Sequence, residues 1–162
     1  MPLANLWIWL ETLPISVEIG GSAWFPLFES IHVIAATFVV GSILMVDLRL
    51  LGLAARRHPV SRITREVVPW TLGAYALSAL AGFGMFVTQA TRYAGNRAFQ
   101  VKFALLLLAG LNMAIFHFRT ARNVGAWDTA ARTSAAARLG GALSIALWLG
   151  VMLAGRWVGH LL

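Results

Sequence analysis

The stretch FESIHVIAATFVVGSILMVDLRLLG, Phe28–Gly52, is long and apolar enough to cross a bilayer, yet it carries Glu29, His32, Asp47 and Arg49. An ionisable side chain in hydrocarbon costs about 2.5–3.5 kcal/mol on insertion scales, so such groups turn toward a bundle interior or a polar cavity. Other spans must cover them, and the rest of the chain supplies three.

Of the 162 residues, 59% are hydrophobic and 12% charged, with a mean hydropathy of +0.76. A soluble domain of this size does not need so much apolar side chain. The thirteen Lys and Arg against six Asp and Glu give a net charge of +7, carried in short connections between apolar runs. That is the pattern of topology signals and not of a nucleic-acid surface. Without cysteine, the chain has no disulfide, thiolate zinc site, iron–sulfur cluster or covalently attached haem. Residues Leu3 to Leu13 carry Trp7, Trp9 and Glu11, with neither a basic leader nor a small-residue cleavage site, so they are not read as a signal peptide.

Taken in order, residues 1–22 are expected to form an amphipathic segment lying in the headgroup region, where Trp7, Trp9 and Trp24 find their preferred depth. Residues 23–162 are expected to form an all-α antiparallel four-helix transmembrane bundle, with spans at about 25–54, 67–89, 101–118 and 139–160. Ala74, Ser78 and Gly82 recur every four residues in the second span, the small-residue spacing that lets membrane helices approach closely. Loop 1 carries Arg56, Arg57, Arg62 and Arg65, and loop 3 carries Arg119, Arg122, Arg132 and Arg138. Loop 2 has Arg92 and Arg97 with Lys102 at its edge, so loops 1 and 3 are expected on the cytoplasmic side and both termini on the outer side.

A rise of 1.5 Å per residue turns position into depth. His32, Lys102, Arg156 and His160 then fall in the outer half, and Arg49 and His117 in the inner half. His32 and His117 differ in depth by about 20 Å and cannot ligate one iron. Lys102, Leu106, Gly110, Met113 and His117 share one face of the third span. Glu29 and His32 are i, i+3 neighbours, within reach of one hydrogen bond, although a di-iron bundle would need a second such pair and two more carboxylates. Arg49 is expected to snorkel to the surface, and Asp47 to meet Arg119 or a loop-1 arginine.

Several of these residues together, namely Glu29-x-x-His32, the Asp47-Leu-Arg49-Leu-Leu-Gly52 end of the first span, Pro69-Trp70, Thr91-Arg92-Tyr93, Phe99-x-x-Lys102 and His117-x-Arg119, resemble an uncharacterised family of small bacterial four-helix membrane proteins, a domain of unknown function. That likeness covers nearly the whole chain and implies no activity. More distantly, His32, Gly41 and Arg49, followed by Lys102 and His117, are similar to the layout of HemJ-type protoporphyrinogen oxidases and the CopD-like copper-resistance domain. HemJ-type proteins are four-helix, haem-b-binding membrane enzymes in which a first-helix His, an Arg ending that helix and a third-helix Lys matter. Carried over, the resemblance implies roles for His32, Arg49 and Lys102, although the Pro-Arg that usually ends their first helix is Leu48-Arg49 here.

The leading expectation is a haem-b-binding inner-membrane protein with an electron-transfer or redox role. His32 would be a ligand, His160 its same-side partner, and His117 a ligand to a second, inner haem. Lys102, Arg156 or Arg49 would receive propionates. In a second form, Glu29 and His32 relay protons at a quinone site or to a redox partner protein. The competing class is a non-catalytic accessory subunit, in a homo-oligomer or a larger membrane complex, with the small-residue stripe of the second span and the Trp-rich amphipathic N-terminus as its contact surfaces. A copper- or proton-linked transport component is a third, short of soft ligands.

Overall fold

In the computed structural model the described residues are 2–55, 57–130 and 133–161, so Arg56 and Arg132, two of the arginines counted above, lie outside them. Two short helices, α1 (Pro2–Thr12) and α2 (Pro14–Gly21), come first. They are broken at Leu13, which is held extended (ψ 137°) by the proline that follows. Four long helices make the body: α3 (Trp24–Leu50), α4 (Val60–Thr88), α6 (Arg97–Ile115) and α7 (Ala135–Leu161), with a short α5 (Ala90–Gly95) between α4 and α6. Among the described residues there is no strand.

The termini of these helices have local causes. α3 stops at Gly52, whose φ of 72° reverses the chain and lets Leu53 N–H reach Leu48 O. α4 starts at Val60, about two turns earlier than its apolar run, because the turns carrying Arg62, Arg65 and Glu66 are helical but exposed; Pro69 therefore lies inside the helix. Asn96 caps α6 by accepting a hydrogen bond from Phe99 N–H at 3.2 Å. Beyond Ile115 the chain winds through a π turn (Phe116–Thr120) and a 3₁₀ turn (Ala121–Ala126) before α7.

Only 17, 28, 6 and 22% of the most apolar windows of α3, α4, α6 and α7 are buried within the chain. The rest is outward-facing side chain such as Ile34, Leu80, Leu107 and Leu153, a surface that water does not tolerate and acyl chains do. The chain is therefore a multi-pass, all-α membrane protein.

Packing is pairwise, α3 on α4 and α6 on α7, with α3 against α7 joining the pairs. Two residues of the small-residue stripe of α4, Ser78 and Gly82, are taken up by this packing, while Ala74 lines an open groove between α3 and α4. Ser78 is buried under α3, and a Cβ on Gly82 would lie 3.1 Å from two ring atoms of His32. Gly141 does the same for α7, where a Cβ would sit 3.2 Å from the Asp47 carbonyl oxygen. At the N-terminal end Trp7 meets Phe86 edge-on, Phe86 stacks on Phe99, and Glu11 Oε1 accepts from Thr91 N–H at 2.7 Å. These contacts fasten the α1–α2 hairpin over that end of the bundle.

The opposite, arginine-rich end is closed by Arg49, which does not snorkel. Its side chain is wholly buried, donating from Nε to His58 O at 2.8 Å and from Nη2 to Asp128 O at 3.0 Å and Ala130 O at 3.5 Å. Loops 1 and 3 fold back over the end of α3, so their carbonyls reach the guanidinium before the surface does. Thr133 adds a hydroxyl bond to Leu50 O, and Leu50, Val60, Trp127 and Ala137 form the apolar core beneath.

Asp128 completes this closure from loop 3 by accepting from Ser61 N–H at 2.8 Å and Ser61 Oγ–H at 2.6 Å, a cap on the first turn of α4. Desolvation works to push its carboxyl up, but the bonds from Ser61 and Val60 and the Arg49 charge outweigh it and hold the group below its ordinary 3.8. A depressed carboxyl contributes stability above its unfolded pKa and loses it as pH falls through the folded value. Asp128→Ala is expected to cost about 1 kcal/mol at neutral pH, the worth of a half-exposed and screened cap. In denaturant titrations the gap from wild type should close as pH drops below about 4.

Candidate functional site

His32 sits about two turns into α3, half-buried on the face turned to α4 and α6. Its Nδ1 lies 2.7 Å from Ser78 O and 3.1 Å from Ser78 Oγ, and that hydroxyl also donates to His32 O at 3.3 Å. A ring nitrogen facing a carbonyl must carry the proton, so Nδ1–H donates to Ser78 O and Nε2 is left with a lone pair. That lone pair faces Lys102 Nζ of α6 at 3.4 Å. Gly82 of α4 leaves the room the ring occupies, and Gly155 of α7 lies against the lysine, where a Cβ would be in ordinary contact at 3.6 Å from Nζ. All four spans thus contribute to one polar site.

Lys102 is the only lysine of the chain, all other basic residues being arginine or histidine. It is half-buried, and the one ion pair among the described residues, Arg62 with Glu66, lies elsewhere. An ammonium drawn into the bundle without a carboxylate keeps N–H groups in need of an acceptor beyond His32 Nε2.

The other candidates do not join this pair. Glu29 is exposed and makes no hydrogen bond to His32 among the described residues. His160 is exposed with its ring against Trp157, and Arg156 is exposed beside it. His117 is exposed on the π turn, edge-on to Phe118, and Arg49 closes the far end. Asp47 meets no arginine among the described residues; the Ser144 hydroxyl of α7 is near it, and its Oδ2 is buried without a hydrogen-bond partner. Sequence reasoning missed Ser78, Gly82 and Gly155 as parts of the site. Two of them were visible as the α4 stripe, a signal that reads equally as simple helix packing.

For haem b the donor set is incomplete. His32 Nε2 is the atom that would ligate iron, but Lys102 stands in front of it, and neither exposed histidine faces it from across the bundle. Among the described residues no three His, Cys, Asp or Glu side chains group to hold a metal ion. The residues fit one axial ligand and not two.

Fold and site define a class: a polytopic membrane protein with a single His–Lys couple built into the interior of four spans. The chain belongs to the family of unknown function DUF6644, whose model matches residues 9–161. No curated protein and no solved structure matches it, and nothing found links it to the HemJ-type oxidases or the CopD-like domain.

Proposed function

We propose that the His32–Lys102 couple binds a lipophilic ligand through a carbonyl or anionic oxygen, of the quinone class, and exchanges protons with it. The observation that carries this reading is a half-buried ammonium with no carboxylate partner among the described residues, aimed at the lone pair of a tautomerically fixed imidazole. A ligand oxygen would take the N–H groups of Lys102 that nothing else accepts, and charge developing on it during reduction would be met by that ammonium. Electrons would come from a redox partner protein in the bilayer. Each two-electron reduction of a quinone to its quinol takes up two protons, which the couple would pass on.

The reading is tested by titrating a short-chain quinone analogue into purified protein and following tryptophan fluorescence. Saturable quenching is expected in wild type. Affinity should fall at least about tenfold, or about 1.4 kcal/mol, in His32→Gln and in Lys102→Met, with Glu29→Gln and His117→Gln unchanged. Equal affinities across all five proteins would end the proposal.

A second reading, a haem b held by His32 with Lys102 turned to a propionate, is favoured by the Ser78 contact, since imidazoles that ligate metals are fixed by the same kind of bond from their other nitrogen. A reduced-minus-oxidised spectrum of wild type with an α-band lost in His32→Ala and kept in His58→Ala would support it; a featureless spectrum removes it. The arginine count of loops 1 and 3 supports placing that end in the cytoplasm and both termini on the opposite side, and the likeness to small bacterial membrane proteins fits a bacterial inner membrane.

A further inference from the structure

Asp47 is used by neither the fold's closing contacts nor the His32–Lys102 site. It lies three residues from the end of α3, packed under α7 and 5% exposed, with the Ser144 hydroxyl beside it and Oδ2 without any hydrogen-bond partner. None of the charged groups around it forms an ion pair with it, Arg49 included, whose buried Nη1 is likewise without a hydrogen-bond partner. Arg49, two residues on, faces loop carbonyls; on α7 Arg138 is exposed; on α4 Arg62 pairs with Glu66 and Arg65 is exposed; on the π turn Arg119 is exposed. Among the described residues, then, no cation pairs with this carboxyl.

A carboxyl in that position has two uses. It can serve as a fixed hydrogen-bonding group tying α3 to α7, a role asparagine would fill as well, or as a place where a proton is bound and released. Two further features favour the second. Gly141 admits α7 to within contact of the Asp47 backbone, so the two helices are already held close without the carboxyl. Between Asp47 and His32 the seam of α3 and α4 carries another polar contact, Ser42 Oγ to Thr71 Oγ1 at 2.7 Å. These stations lie about 7.5 Å and then about 15 Å apart along the axis of α3.

We propose that Asp47 is a proton-binding site serving the arginine-rich end of the bundle, and that it holds the proton which the His32–Lys102 couple exchanges toward the other end. The second clause rests on the functional reading above; the first does not. The step is carboxylate plus proton to carboxylic acid and back, the proton coming from and returning to water at that end.

The test treats the full-length chain in bilayers with dicyclohexylcarbodiimide, an apolar reagent that takes the proton of a membrane-embedded carboxylic acid onto its nitrogen while the carboxyl oxygen bonds its central carbon. The adduct rearranges to a stable N-acylurea, read by peptide mass spectrometry. We expect modification at Asp47 at about pH 6, a severalfold fall by about pH 9 as the carboxyl gives up its proton, and no adduct in Asp47→Asn. His32→Gln should keep the Asp47 adduct, so failure of the ligand-binding test and failure of this one are separable. Absence of the adduct in folded wild type, or a yield that does not change between the two pH values, overturns the proposal in favour of a fixed structural carboxyl.

Discussion

Replacing Arg49 by alanine is expected to lower unfolding stability by about 3–5 kcal/mol, the largest effect of any single substitution outside the His–Lys site. The guanidinium is wholly buried and serves the carbonyls of His58, Asp128 and Ala130. Each carbonyl left unpaired costs about 1–3 kcal/mol, less whatever water can enter to replace the bond. Domains of this size are stable by about 5–15 kcal/mol in total, so the loss is a large fraction of the whole. Arg49→Lys should fall between, because a point charge on one nitrogen cannot serve carbonyls from two loops as a planar fork does. Denaturant titration in detergent micelles reads the stability. Limited proteolysis should show faster cleavage near His58 and over 127–130, where Arg49 holds the loop carbonyls. A loss below about 1 kcal/mol would mean that the side chain behaves as an exposed one, contrary to its burial.

The second large effect has opposite signs for stability and function. Lys102→Met keeps most of the length of the side chain and removes a half-buried ammonium that has no carboxylate partner among the described residues. Replacing buried ionic groups by apolar ones of similar shape is often stabilising by about 1–4 kcal/mol. His32 Nε2 loses its donor at the same time, which costs back about 1 kcal/mol. The net expectation is a gain of about 1–2 kcal/mol together with loss of quinone-analogue binding. A cation kept at a cost to stability is kept for what it does. If Lys102→Met were instead strongly destabilising, the lysine would be a structural donor, and the functional reading would lose its main support.

Much of this architecture was legible in the chain. Apolar runs of bilayer length gave the four spans, and the expense of an imidazole in hydrocarbon turned His32 inward. What depth could not supply was rotation. Lys102 and His160 lie at similar heights relative to His32, and the choice between them depends on how α6 and α7 turn about their axes. α6 gives little sign of this, because only 6% of its apolar window is buried within the chain. The predicted face from Lys102 to His117 follows an ideal helix, but α6 actually buries Ala109 and uses Asn112, which donates to Gly140 O at 3.0 Å. The π turn after Ile115 then carries His117 outward. Arg49 was misread for a different reason. Its position at a membrane boundary suits snorkelling, and nothing local announces that the loops bearing carbonyls as far apart in the chain as His58 and Asp128 fold back to enclose it. Asp128, which lies in the second of those loops, has no sequence signal for capping α4, since its partner Ser61 is distant in the chain.

The central claim is that Lys102 and His32 face one another inside the bundle. Because the chain has one lysine, a single isotopic label at lysine Nζ reports this residue alone. Dipolar recoupling by solid-state NMR, with ¹⁵N at lysine Nζ and ¹³C,¹⁵N-labelled histidine in bilayers, should detect one imidazole near that nitrogen, with Nε2 about 3.4 Å away and the signal lost in His32→Gln. A lysine nitrogen with no ring within range, exchanging its protons with bulk water as a surface amine does, would contradict the account.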